Sequence, residues 1–288
     1  MLDLIIKNGS CYIDKDLKDQ DIAIKDGKII KIGKIDNQAK EVFDAKGLTV
    51  LPGCIDTQTH FREPGSTDTE DLHSGSRAAI VGGITSVFEM PNTNPPTSTK
   101  VEFQKKLDLA KNRMYCNYAF YFGATADNAN ELADLVNLEG CCGIKLFAGS
   151  STGNLLVAEE EDIEKVFQSN SKVVAVHSDN EAILNIHKKL IKEGDVHSHP
   201  IWRSAECAIS STRRIVRIAE RYKKKAHLLH ITTKEEIDFL SQHKGNRTFE
   251  ITPQHLTIYA PDCYDKLGTY AQMNPPIRDK SHYDRLWY

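Results

Sequence analysis

Four polar side chains stand at or just past the carboxyl ends of short apolar runs: His60 after GCIDTQT, Lys145 within GIKLF, His177 closing KVVAV and His230 closing AHLL. A neutral imidazole offers a nitrogen lone pair suited to zinc, so several of them converging would make a metal site. One histidine at a strand end is by itself best read as a hydrogen-bonded, half-buried residue. Four such placements at the same end of successive runs point to a shared site. His227, at the start of its run, is expected at the opposite end, and His73, His187, His197, His199, His243 and His282 read as surface or loop residues.

Lys145 poses a separate question, because an ammonium group repels a cation and is costly to bury among Ile144, Leu146 and Phe147. A desolvated, neutral lysine can react with carbon dioxide to give a carbamate, whose two oxygens could bridge two metals. The position equally suits a lysine paired with a carboxylate or one reaching out of the strand end.

Bringing these four residues together requires an element that gathers strand ends, and the chain has the texture for one. From Leu51, apolar runs at 53–56, 84–90, 117–123, 143–149, 172–178, 226–232 and 248–252 alternate with helical periodicity at 98–113, 128–136, 159–167, 207–222 and 233–243. Such alternation predicts βα units around a parallel sheet, whose strand ends share one face. The predicted fold class is α/β, a TIM-like (β/α) barrel of residues 51–288 lacking its eighth strand. Residues 1–50, with Asn-Gly, Asp-Gly and Lys-Gly turns between β-branched runs, predict a small β-sandwich-like unit.

Composition narrows the function classes. A formal charge of -3 gives no basic field for nucleic acid, and no apolar run reaches the ~18 residues of a membrane span. The start has neither a basic segment nor a long apolar stretch, which makes a cytoplasmic protein the expectation. Seven cysteines scattered without C-x-x-C pairs read as reduced core thiols.

The motif PGCIDTQTHFREPG (52–65) resembles the metal- and substrate-binding opening of dihydroorotases in the amidohydrolase superfamily. The resemblance continues in order through GSRAAIVGGITSVFEMPNTNP, GIKLFAGSSTGNLL, VHSDNE, HLLHITTKEE, ITPQHL and MNPPIRD. It implies that His60 is a zinc ligand, Lys145 a carboxylated bridging ligand, and His177 and His230 ligands of a second metal, for one or two Zn2+ in all. It further implies that Arg62 and Asn92 bind the substrate carboxylate and that Asn274 contacts the pyrimidine ring. A guanidinium matches a carboxylate with two parallel hydrogen bonds, and an amide can donate and accept to ring imide groups. A salt bridge to Glu63 is the alternative for Arg62, and a turn or helix-cap role for Asn92. The implied reaction is reversible closure of N-carbamoyl-L-aspartate to (S)-dihydroorotate in pyrimidine biosynthesis. The substrate is a small molecule, and a homo-oligomer or association with aspartate transcarbamoylase fits the family.

Two departures from the family pattern stand out. Its opening His-x-His pair has Gln58 as the first member, a neutral and weak zinc donor. The Asp-His motif that carries the family's general-base aspartate is expected beyond Tyr288, as is the eighth strand, so the chain is expected to be a fragment with little turnover alone. A hydantoinase- or allantoinase-type amidohydrolase and a catalytically silent scaffold subunit are the alternative readings.

Overall fold

Alternating apolar and polar residues build the amino-terminal strands: β1 (Leu2–Ile13), β2 (Asp16–Lys25), β3 (Lys28–Gly33), β4 (Ala39–Asp44) and β5 (Thr49–Val50). Asp26 and Gly27 both take positive φ, 51° and 70°, which closes the tight β2–β3 hairpin pairing Lys25 with Lys28. In this computed structural model, which describes every residue of the chain but 152, 170, 171, 244 and 246, the five strands form one mixed sheet. Among the described residues there is no second layer of a sandwich here. β1 pairs antiparallel with β2 and parallel with β4 and β5, around a core of Leu2, Ile5, Ala23 and Ile35. The chain divides into this unit, Met1–Cys54, and a larger one, Ile55–Tyr288.

In the larger unit each of the seven predicted runs forms a strand: β6 (Cys54–Thr59), β7 (Ile84–Glu89), β8 (Asn117–Gly123), β9 (Cys141–Phe147), β10 (Val174–His177), β11 (Ala226–Leu228) and β12 (Arg247–Phe249). They lie side by side in sequence order in one sheet, and β7 through β12 pair in parallel. This is a partial TIM-like barrel; among the described residues no eighth strand joins it. Helices cross between strands and start where capping residues allow. Thr99 caps Lys100–Ala110, Ser204 caps Ala205–Arg221, and Thr233 with Glu236 forms a capping box on Lys234–Gln242. The periodicity at 128–136 yields a single 3-10 turn, Ala129–Glu131, followed by the short helix Leu132–Leu135.

The outer face of the sheet buries Phe120, Phe122, Ile144, Leu146, Val174 and Val176 under these helices. On the inner face Met90, Tyr121, Ala175 and Leu229 cluster with Phe88 and Cys142 packed against them. Side chains alternate faces along a strand, and the β9–β10 register sets Lys145 beside Ala175 and Phe147 beside His177. Lys145 therefore shares the inner face with this apolar plug, and His177 stands one step nearer the carboxyl ends. All seven cysteines are free thiols, five of them buried, and among the described residues no helix is long and apolar enough to cross a membrane.

Candidate active site

The strand ends open into a cavity of about 900 Å3 lined by Gln58, His60, Arg62, Lys145, His177, His230 and Asn274, together with Asp56, His199 and Glu250. Residues from both ends of the second unit's sequence thus meet as the barrel topology requires. Asn92 does not line this cavity. It is buried, and its side chain hydrogen-bonds His60.

Two imidazoles face each other: His177 Nδ1 is 3.0 Å from His230 Nε2, with the rings edge-on. His230 takes φ 39°, a left-handed conformation uncommon for a residue with a side chain, and Arg62 does so too at φ 63°. Burial is the largest influence on all three site histidines and keeps them neutral. Helped by the Arg62 guanidinium, it brings His60 down to about 3. His177 and His230 are lowered as well, His230 well below the usual histidine range. Neutral imidazoles are what a metal needs.

Lys145 is 1% exposed and its Nζ sits 4.3 Å from the centre of the Phe147 ring. Burial holds it well below the ordinary lysine range against the attraction of Glu250. Glu250 follows β12 directly and went unremarked in the sequence, although an acid inside the apolar run TFEIT is a signal. Its Oε2 accepts from Thr57 Oγ1 at 2.6 Å and lies 2.9 Å from His227 Nε2, while Oε1 has no hydrogen-bond partner among the described residues. Burial works to raise the Glu250 carboxyl, but the bonds from His227 and Thr57 prevail and lower it. His227 was expected at the far end of the barrel. It instead reaches the cavity wall through Glu250, because β11 is only three residues long.

His199 and His282, read as surface or loop positions, are buried. His199 lines the cavity with Nε2 2.9 Å from the Met273 carbonyl, and His282 Nδ1 accepts from the Lys234 amide at 3.1 Å. Segment 199–202 is set against 273–274 by tertiary packing alone, which leaves no local signal. His255, also unremarked, is buried between Thr252 and the Pro275 carbonyl.

Arg62 is not paired with Glu63. That carboxylate takes a two-pronged bond from Arg113, at 2.8 and 3.1 Å, and accepts from the Leu72 amide. Among the described residues Arg62 makes no ion pair, so its guanidinium is left to the cavity. Beneath this corner lies an ion pair that the sequence reading missed, Glu89 with Lys106, whose side chains are 1% and 0% exposed. Lys106 also donates to the Met90 carbonyl at 2.9 Å.

The residues suit a divalent cation. The two ring nitrogens converge, the donors are neutral, and the cavity acceptors Gln58 Oε1 and Asn274 Oδ1 are buried without hydrogen-bond partners among the described residues. Among the described residues no three His, Cys, Asp or Glu side chains form a ligating group. A cation between His177 and His230 would need further donors, and the Lys145 amine and Gln58 line the same cavity.

The sequence matches the Amidohydrolase family over residues 49–257, most of its length. The chain belongs to the amidohydrolase family. It is 35% identical over 294 residues to a dihydroorotase of Methanosarcina mazei, covering 96% of this chain and 64% of that protein. It is 32% identical over 300 residues to an allantoinase of Escherichia coli, covering 99% of this chain and 66% of the other. Among solved structures, L-hydantoinase (dihydropyrimidinase) from Arthrobacter aurescens superimposes with a TM-score of 0.93 at 26% identity, covering all of this chain and 66% of that one. The chain thus spans just under two thirds of the length of these relatives.

Proposed function

We propose that this amidohydrolase acts on a cyclic amide that carries a carboxylate, interconverting N-carbamoyl-L-aspartate and (S)-dihydroorotate in pyrimidine biosynthesis in the cytoplasm. The observation behind the reading is Arg62, a guanidinium on the cavity wall that makes no ion pair among the described residues. Rings without a carboxylate, such as hydantoin and allantoin, have no use for it. Asn274, with an unpartnered amide oxygen in the same cavity, is suited to the ring N–H groups.

One or two zinc ions would be held by His60, Lys145, His177 and His230, with Gln58 where the family's first histidine stands. A bound zinc polarises a carbonyl and lowers the pKa of water. The protein's own contributions are distinct. Arg62 fixes the substrate through two parallel hydrogen bonds, and Asn92 steadies His60 by a side-chain hydrogen bond. The neutral Lys145 amine is in the state that carbon dioxide can attack, and the carbamate would supply two further oxygens. Glu250 and Asp56 are carboxylates of this chain on the cavity wall, able to accept a proton from water.

Calorimetric binding of dihydroorotate, N-carbamoyl-L-aspartate, hydantoin and allantoin to the zinc-supplemented chain, with turnover measured alongside, tests the reading. Binding of the two carboxylate ligands is expected, with at least about a tenfold loss in Arg62→Met, the worth of one charged hydrogen-bonded contact. Equal binding of allantoin or hydantoin, unaffected by that substitution, would transfer the protein to the other branch of the family.

A further inference from the structure

The presentation of His177 Nδ1 to His230 depends on what holds the opposite ring nitrogen. His177 Nε2 has no hydrogen-bond partner among the described residues, and the nearest charged acceptor is Asp179 Oδ2 at 3.4 Å. Both side chains are 2% exposed. Asp179 is in turn gripped by Arg203, whose Nη1 donates to Oδ2 at 2.6 Å while Nη2 donates to the Ser150 carbonyl at 2.6 Å. One guanidinium therefore ties the loop after β9, which carries Lys145, to the loop after β10, which carries His177. The two loops touch: a Cβ on Gly149 would lie 2.5 Å from Asp179 Cβ, so only glycine permits the approach. Arg278 extends the clamp, bonding the Arg203 carbonyl and donating Nε to Thr232 Oγ1 at 3.2 Å, two residues past His230.

A buried ion pair is poor evidence for stability as such, since its desolvation offsets most of its attraction. Its placement against the free nitrogen of a ring whose other nitrogen faces a second imidazole suggests a different purpose. We propose that Asp179, clamped by Arg203, is a positioning residue: it keeps the His177 proton on Nε2, leaving the Nδ1 lone pair aimed at His230 for a divalent cation. This rests on the metal-dependent reading above. The rule it follows is general, because a ligating histidine is oriented by the acceptor on its other nitrogen.

Co2+ titrated into the intact chain, followed by its visible absorption bands and by chelator competition, tests the proposal without an activity assay. Asp179→Asn is expected to weaken Co2+ binding by about 10- to 100-fold and to alter the band pattern. The double variant Asp179→Leu with Arg203→Met removes both charges, so its metal-free melting temperature should return toward the parent value while Co2+ affinity stays low. If the pair were merely structural, the double variant would bind Co2+ as tightly as the parent, which overturns the proposal. A parent chain that binds no Co2+ would overturn the metal-dependent reading itself. A parent that binds, with Asp179→Asn binding equally well, would overturn only the positioning role.

Discussion

Lys106→Met isolates the buried ion pair under the His60 corner, and its cost should depend on pH in a defined direction. Glu89 has burial as its largest influence, which raises its carboxyl from an ordinary 4.5 to about 7 despite Lys106 and the Phe61 amide. An acid raised in the folded state contributes stability that is complete below 4.5 and lost as pH climbs to about 7. In the parent that loss stops near 7, because Lys106 stabilises the ionised form. Without Lys106 the carboxyl rises further, so the variant goes on losing about 1.4 kcal/mol for each pH unit above 7. The methionine also leaves the Met90 carbonyl without its donor, a loss of about 1–3 kcal/mol at any pH. The variant should therefore be less stable than the parent by about 1–3 kcal/mol at pH 6 and by about 2 kcal/mol more at pH 8.5, in the range for breaking a buried pair. Burial lowers Lys106 itself, which can only stabilise the parent as pH rises and widen the gap. Urea unfolding followed by circular dichroism at the two pH values, at fixed ionic strength, measures it. A gap that stays constant or narrows with pH would refute the assignment of Glu89 as the titrating partner.

Two further substitutions probe the scaffold. Gly149→Ala drives a methyl group against Asp179 backbone and side chain, at 2.5–2.9 Å, and should destabilise the chain by about 1–3 kcal/mol in a thermal melt, the usual cost of overpacking. Thr233→Ala removes the hydroxyl that accepts from the Glu236 amide at 3.2 Å and donates to its carboxylate at 2.9 Å. Loss of that cap should cost about 1–2 kcal/mol by urea unfolding, and a loss under about 0.3 kcal/mol would show that Thr212 and the amides of Thr232 and Thr233 hold the buried carboxylate without the hydroxyl.

The strands of the barrel were readable because each is a run of β-branched and aromatic residues between polar helical stretches, as in ITSVFEM and NYAFYFG. Position at the carboxyl ends of those runs is enough to bring His60, Lys145, His177 and His230 to one cavity. The partners escaped for physical reasons. Lys106 lies on the inward face of its helix with Phe103 and Ala110, a spacing that marks a buried charge, yet nothing local names Glu89 as its partner. Asp179 follows His177 by two residues, but its meaning depends on Arg203, which arrives from a separate loop. His199 was read as a loop residue because only packing against Met273 brings it to the cavity. His227 reaches the cavity wall through Glu250 because β11 spans only Ala226–Leu228, much less than the apolar run AHLLHIT suggests. Tertiary partners of this kind are set by the register of the sheet and the paths of loops, which a pattern of apolar residues does not encode.

The facing imidazoles of His177 and His230 are the proposed metal site. Crystals of the chain soaked in zinc, with an anomalous difference map at the zinc edge, test it most directly. The account predicts a peak about 2.0–2.1 Å from both His177 Nδ1 and His230 Nε2, with the Lys145 side chain as the next donor. Zinc bound only at exposed histidines such as His73, with the His177–His230 contact unchanged, would contradict it.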